Sequence, residues 1–486
     1  MTLLDAGTWT GRIFSDGWVR PAGGEAAVVE PATGEELGRT GLGSPDDLAA
    51  AVARATEAQP AWAATNFEER AAVLRRAGAL WEQHAAEVDS WLVREAGSIP
   101  PKAAVETHVA AQECYQAAGL ASHPLGEILP TARPRLSLAR RRPVGVVGVI
   151  APFNYPLILA IRSVAPALAL GNAVVLKPDP RTAVSGGIAI ARIFEEAGLP
   201  PGLLHVLPGG AELGAALVEH PQVPVISFTG SSAAGRIVGA TCGRLLKRAL
   251  LELGGNSALI VLDDADLDLA VSAAAFGSFL HQGQICMATG RHLVHSSIAD
   301  EYVVRLAAKA DGLPVGNPAT GQVALGPLID AGQRDRVHGL VTASVEGGAR
   351  LVAGGTFEDL FYRPTVLAGA VSAVPAYTSE VFGPVAAVNQ FTDLDEAAAM
   401  ANESEYGLSL GILTADVSKA LALADRIPTG IVHINDQTVD DEAVAPFGGR
   451  GASGTGARFG GPAANLEAFT ETQWLTMQGA IAPYPF

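Results

Sequence analysis

Three side chains with complementary chemistry are spread along this sequence. Cys286 ends the run Gly283-Gln284-Ile285-Cys286, Glu252 sits within Leu251-Glu252-Leu253-Gly254-Gly255-Asn256, and Asn154 lies between Pro152 and Pro156. An ionised thiol is a nucleophile, a carboxylate in apolar surroundings has the raised pKa of a general base near neutral pH, and an amide held in a turn donates to a developing oxyanion. Together they are the parts of a covalent oxidoreductase. Each alone has a plainer reading: a small buried hydrophobe for the thiol, a partner of Arg248 for the carboxylate, a helix cap for the amide. Context favours chemistry. Gly283 and Gln284 interrupt the helix expected before Cys286, which leaves the thiol on a turn whose backbone N–H can point at an oxygen. Cys114 and Cys242 fall inside expected helices and read as structural.

A second group of residues suits a dinucleotide. Phe228-Thr229-Gly230-Ser231-Ser232-Ala233-Ala234-Gly235 leaves a strand and opens a helix, whose free amides and dipole favour a pyrophosphate. The G-x-G-x-x-G spacing is missing, so the two-glycine turn is a weak signal by itself. Lys177, after Val174-Val175-Leu176, is placed to reach a ribose or a phosphate, although a lone lysine at a strand end is commonly just solvated.

The elements that must position these residues follow from periodicity. The first 118 residues read mainly as helices, one of them opened by Ser44-Pro45-Asp46-Asp47 with a cap, a first-turn proline and acidic residues. From Pro143 the pattern becomes strand and helix in alternation: strands at 144–150, 173–176, 203–207, 225–228 and 249–253, helices at 156–170, 183–197, 211–220 and 232–246. That alternation predicts a parallel sheet covered by helices on both faces, with ligands beyond the carboxyl ends of its strands. Asn154, Lys177, Gly230 and Glu252 all follow different strands at that edge. A second α/β region starts near Asn256, with a helix over 267–282, strands at 363–367, 385–391, 409–413 and 430–435, and helices at 394–402 and 417–426. Arg135 to Arg142 reads as an extended strand reaching out of its own domain.

Composition narrows the partners. A chain of 486 residues, 49% of them hydrophobic, is expected to divide into two or three domains with substantial interiors. Lys+Arg 33 against Asp+Glu 50 gives a net charge of −17 and no basic run is present, so neither nucleic acid nor an anionic membrane is expected as a partner. Three cysteines without metal-type spacing predict no metal site and a reducing, cytoplasmic setting. The uncharged stretch Val144 to Ile161 is broken by Pro152, Asn154 and Pro156 and is not expected to span a membrane, and Met1 to Gly17, with Asp5, Arg12 and Asp16, does not read as a leader.

These residues carry a resemblance. Pro152-Phe153-Asn154-Tyr155-Pro156, Leu176-Lys177-Pro178, Phe228-Thr229-Gly230-Ser231, Leu251 to Asn256, Gly283 to Cys286, Glu380-Val381-Phe382-Gly383-Pro384 and Pro446-Phe447-Gly448-Gly449, in that order, make the chain similar to the NAD(P)-dependent aldehyde dehydrogenase superfamily over nearly its whole length. Lys177 to Thr182 and the C-terminal region look most like the benzaldehyde, vanillin and salicylaldehyde dehydrogenases. The resemblance implies an α/β fold with a Rossmann-type cofactor domain (1–118 and 143–253), a second α/β catalytic domain (254–450) and a small β oligomerisation arm (119–142 and 469–486). It makes Cys286 the nucleophile, Glu252 the base, and Asn154 with the Cys286 amide the oxyanion hole. Glu380, with Phe382 beside it, corresponds to the residue on the nicotinamide ribose, Lys177 to that on the adenine ribose, and Gly230, Ser231 and Gly235 to the pyrophosphate end. A homodimer or homotetramer is implied as well.

One departure concerns the cofactor. NAD-preferring relatives often carry a glutamate where this chain has Pro180, so NAD is expected with NADP tolerated, Asp179 arguing for restraint. Tyr155, Leu159, Ile285, Met287 and Phe447 are expected to form an apolar aromatic slot that suits a benzaldehyde-like ring, with Arg162 either meeting a substrate oxygen or serving in a structural ion pair. A succinate-semialdehyde or aliphatic aldehyde dehydrogenase is the alternative within this chemistry. From other classes, a non-catalytic scaffold and an NAD-independent thiol esterase remain as readings.

Overall fold

The computed structural model describes residues 2–369 and 373–486. Val146–Ile150 is buried at every position, as befits a strand covered on both faces. Ala173–Lys177 and Val225–Thr229 flank it in parallel, and Leu204–Val206 and Arg248–Glu252 extend the sheet outward on either side. Ile13–Ser15 and Trp18–Val19 complete seven strands by antiparallel pairing at one edge. Those two, and the hairpin of Glu25–Val29 with Glu36–Gly41, correct the mainly helical expectation for the N-terminal region. The hairpin strands, Glu25-Ala26-Ala27-Val28-Val29 and Glu36-Leu37-Gly38-Arg39-Thr40-Gly41, do not alternate apolar with polar residues, so no period of two stands out.

The register places the chemistry. Ile150 pairs with both Lys177 and Phe228, and Thr229 pairs with Glu252, so four parallel strands end side by side. Asn154, Lys177, Gly230 and Glu252 therefore share one carboxyl edge. Helices cover the faces: Pro45–Ala64 starts from Ser44, whose hydroxyl accepts the Asp47 amide while the Asp47 carboxylate accepts the Ser44 amide. Pro100–Leu120 packs along Pro156–Ala169, a helix buried over its whole length. The helix expected over 183–197 is instead a π-helical turn, Val184–Ile188, followed by Ala189–Glu196. The buried Glu95 carboxylate accepts the Val184 and Ser185 amides and the Ser185 hydroxyl, which supports that irregular start.

A second seven-stranded sheet runs in the order Arg350–Ala353, Thr365–Ala368, Val385–Phe391, Thr289–His295, Ser257–Val261, Ser409–Leu413, Ile431–Ile434. Alternation sends Ala258 and Ile260 into one core cluster and Leu259 and Val261 into another, one on each face. Its two central strands, Ser257–Val261 and Thr289–His295, and the helices Ser296–Gly312 and Ala331–Glu346 were not among the expected elements. Leu136–Pro143 forms the middle of a separate antiparallel sheet between Thr470–Met477 and Gly126–Ile128. Among the described residues no helix is long and apolar enough to cross a membrane.

Candidate active site

The turn that carries Cys286 is strained. The helix before it stops at Phe279 rather than continuing to Gln282 as periodicity suggests, and His281, Gln282 and Gly283 adopt left-handed φ values of 50°, 55° and 66°. For a residue with a Cβ that conformation costs roughly 1–2 kcal/mol. Side-chain bonds hold it: Gln282 Nε2 donates to the Gly97 and Pro327 carbonyls at 3.0 and 2.7 Å, and the Ile329 amide donates to Gln284 Oε1 at 3.0 Å. At Gly283 a Cβ would lie 2.1 Å from the Gly383 carbonyl oxygen, so only glycine fits. Cys286 emerges half-buried, and among the described residues its backbone amide meets no acceptor. Desolvation, aided by the Glu380 and Glu252 carboxylates, pushes its thiol up to about 12.

Asn154 arrives from the other sheet. It is 3% exposed, and its Nδ2 donates to the Gln284 carbonyl at 2.8 Å, which leaves the second amide hydrogen for a ligand. It does not cap its own helix: Tyr155 occupies the N-cap position and makes no side-chain cap bond.

Glu252 is the last residue of its strand and both its carboxylate oxygens are buried without a hydrogen-bond partner. Desolvation raises its pKa well above the usual carboxylate value, while the charges of Arg162 and Arg458 oppose the shift without cancelling it. Arg248 is not its partner, because that guanidinium donates to the carbonyls of Glu467, Ala468 and Thr470. Gly448 makes room for the carboxylate, since a Cβ there would lie 2.8 Å from Glu252 Oε1.

A cavity of about 320 Å3 ends at Cys286 and Asn154. Tyr155, Leu159, Ile285, Met287 and Phe447 form its walls, together with Phe276 and Val439, and Asp440 and Asp441 lie at one side. Arg162 is corrected from the expected lining set. Its helix is buried all round, so the guanidinium needs an internal counterion; it pairs with Asp441 and stacks on the Phe447 ring at 4.6 Å, behind the wall.

The residues expected to suit a dinucleotide lie outside the lining of that cavity. Glu380 Oε1 accepts the Gly255 amide at 2.9 Å, and a Cβ on Gly254 would come within 2.3 Å of Glu380 Oε2, so the pair of glycines keeps that carboxyl accessible. Burial pushes the Glu380 carboxyl up to about 7. Phe382, at φ 54°, meets Phe153 edge-on at 5.9 Å, and Arg181 lies 4.3 Å over the other ring while paired with Asp179. Lys177 Nζ donates to the Gly209 carbonyl at 2.6 Å. The Ser231 hydroxyl accepts the Ala234 amide at 3.3 Å, and the first turn of Ser232–Arg244 follows Gly230 directly, as an anion site requires. Gly235 is different: it lies inside the helix, where a Cβ would strike Leu253 at 2.2 Å, so its absence of a side chain serves helix-to-strand packing. A ribose acceptor, a helix N-terminus and a buried ammonium fit a nicotinamide dinucleotide.

Sequence reasoning missed Lys102, Glu106, Glu113, Asp441 and Arg458, all of which bear on this site. Lys102 and Glu106 were findable, since a spacing of four on one helix face is an ion-pair signature.

A half-buried thiol, a buried carboxylate and an amide donor gathered at an apolar cavity have the chemistry of a cysteine-dependent oxidoreductase acting on carbonyls. The comparisons agree with that class. The chain belongs to the aldehyde dehydrogenase family, whose profile matches residues 18–475. It is 74% identical to a vanillin dehydrogenase of an Amycolatopsis species over 486 residues, all of both chains, and 52% identical to an NAD(+) benzaldehyde dehydrogenase of Pseudomonas putida over 98% of each. A salicylaldehyde dehydrogenase from Pseudomonas putida G7, solved in complex with salicylaldehyde, superposes with a TM-score of 0.94 at 36% identity, covering 98% of this chain and 99% of that one.

Proposed function

We propose that the protein oxidises aromatic aldehydes of the benzaldehyde and vanillin type to carboxylic acids with NAD(P)+. The observation that carries this reading is the apolar cavity of about 320 Å3 that ends on Cys286. Its size and lining suit a substituted benzene ring. A semialdehyde carboxylate is disfavoured: Arg162 is already paired with Asp441, Lys102 with Glu106, and the Asp440 carboxylate in the lining repels a second anion.

The Cys286 thiol gives up its proton to solvent and its Sγ bonds to the carbonyl carbon, as the C=O electron pair moves to oxygen, where the Asn154 Nδ2–H and the Cys286 N–H hold it. The nicotinamide, when bound, supplies the acceptor for the hydrogen that leaves with its electron pair. Glu380 and the helix at Ser232 would hold the dinucleotide, with Phe382, seated edge-on against Phe153, near Glu380 in the chain. A thioester on Cys286 remains, from which Glu252 releases the acid by taking a proton from the attacking water.

NAD is the expected cofactor with NADP tolerated, because Pro180 carries no carboxylate and Asp179 is neutralised by Arg181. The exposed Trp474 and Met477 on the sheet Thr470–Met477, with Ile128 on the far strand, support a homodimer or homotetramer built through this arm. Cys114, Cys242 and Cys286 are all free thiols, which suits the cytoplasm.

Steady-state turnover of benzaldehyde, vanillin and succinic semialdehyde with each nicotinamide tests the reading, alongside acid formation without cofactor. The aromatic aldehydes should give the higher kcat/KM, and acid should form only with cofactor. A preference for succinic semialdehyde, or acid release without nicotinamide, contradicts it.

A further inference from the structure

The helix Pro156–Ala169 begins without a side-chain cap of its own, and a buried ion pair on the neighbouring helix Pro100–Leu120 takes that place. Glu106 Oε2 accepts the Leu157 amide at 3.1 Å and the Ile158 amide at 3.4 Å, and its Oε1 pairs with Lys102 Nζ. Lys102 Nζ also donates to the Asn154 backbone carbonyl at 2.8 Å and lies 4.0 Å from the centre of the Tyr155 ring. The two charged side chains are 1% and 0% exposed.

Burying two charges is costly, and an Asn, Asp, Ser or Thr at the N-cap position would satisfy the helix more simply. What the pair does beyond capping is to grip the chain on both sides of Tyr155. Lys102 fixes the carbonyl of Asn154, Glu106 fixes the amides of Leu157 and Ile158, and the Gln284 carbonyl takes one hydrogen of the Asn154 side chain. Although Lys102 touches the cavity, its ammonium is committed to a carboxylate, a carbonyl and a ring face, and offers no donor to a ligand.

We propose that Lys102 and Glu106 are positioning residues of the oxyanion hole, holding the Asn154 side-chain amide where the substrate oxygen acquires its charge. The inference rests on the reading of Asn154 as oxyanion donor. Its effect falls on kcat, because the oxyanion exists only beyond the ground state, and leaves cofactor binding and aldehyde KM alone.

A double-mutant cycle separates this role from packing. Removing one charge strands the other, so Lys102→Met/Glu106→Gln is the paired replacement. It is combined with Asn154→Ala, and the pre-steady-state burst of reduced nicotinamide is read with the best aldehyde of the panel. Asn154→Ala should slow the burst by about 100-fold. The paired replacement alone should slow it by roughly 10- to 100-fold, as a misplaced donor does. In the Asn154→Ala background it should add less than about twofold, since a residue acting through Asn154 has nothing left to position. Lys102→Gln/Glu106→Gln, which returns a donor to the Asn154 carbonyl, should recover most of the rate. Losses that multiply across the cycle, or a raised KM with kcat kept, overturn the proposal. Should Lys102→Met/Glu106→Gln fail to fold, the same cycle is run on Lys102→Met alone, which also releases the Asn154 carbonyl while Glu106 takes up a proton, and a multiplied loss has the same meaning. If Asn154→Ala bursts like wild type, the oxyanion assignment is what fails.

Discussion

Asn154 Nδ2 donates to the backbone carbonyl of Gln284 at 2.8 Å, joining positions 130 residues apart in sequence. One end of that bond belongs to the turn after Val146–Ile150 in the first sheet, the other to the left-handed turn that presents Cys286. The proposed donor and the turn of the proposed nucleophile are thus joined directly, so that disturbing either turn disturbs both.

Replacing Asn154 by alanine should therefore do two things. Turnover should fall by about 100-fold through loss of the oxyanion donor. Stability should fall by about 1 kcal/mol through loss of the hydrogen bond. Urea unfolding beside steady-state kinetics checks both, and a full-activity variant would count against the assignment.

Glu252 sets a pH dependence. Its pKa is raised well above the ordinary value, so at low pH it is protonated and cannot take a proton from water. Hydrolysis of the thioester should rise with pH through that raised value and fall below it, and Glu252→Gln should flatten the profile while still giving a first burst. The thiol of Cys286, raised to about 12, titrates in the same direction, so the two are told apart by step: Cys286 governs the burst, Glu252 the steady state.

Arg162 couples to that limb. Arg162 and Arg458 hold the Glu252 pKa down while Asp441 pushes it up. Arg162→Met should shift the steady-state profile to higher pH, because a favourable charge beside the carboxylate is gone. The Asp441 carboxylate then loses its partner, at a cost of about 3 kcal/mol. A pH–rate profile together with chemical denaturation measures both effects.

Asp179 and Pro180 govern the choice of nicotinamide. Asp179 spends its charge on Arg181, and Pro180 offers none. Pro180→Glu should add an acceptor for the ribose hydroxyls and repel a 2′-phosphate, raising the NAD-to-NADP ratio of kcat/KM by about 10-fold, the worth of one charge-assisted hydrogen bond. An unchanged ratio would place the adenine ribose elsewhere.

The parts of the site that follow strands were legible in the sequence. Lys177 and Glu252 end buried β-branched or leucine-rich runs, and Gly230 follows another, so alternating strands and helices bring them to one edge. The break at Gly283 was legible, but the left-handed backbone of His281 and Gln282 was not, because it depends on Gly97 and Pro327, remote in sequence. Arg162 read as a ligand for substrate oxygen or half of an ion pair, and only tertiary packing against Asp441 decides between them. The spacing of Lys102 and Glu106 reveals an ion pair but not its role, because its contacts lie some fifty positions away, at Asn154 and Leu157.

The central claim is that the aldehyde carbon becomes bonded to Cys286. Quenching the Glu252→Gln variant during its first turnover with benzaldehyde and NAD+, then mapping the modified peptide by mass spectrometry, tests it most directly. The account predicts one acyl group on Cys286 for each reduced nicotinamide formed, and none on Cys114 or Cys242. Reduced nicotinamide appearing without acylated Cys286 would contradict it.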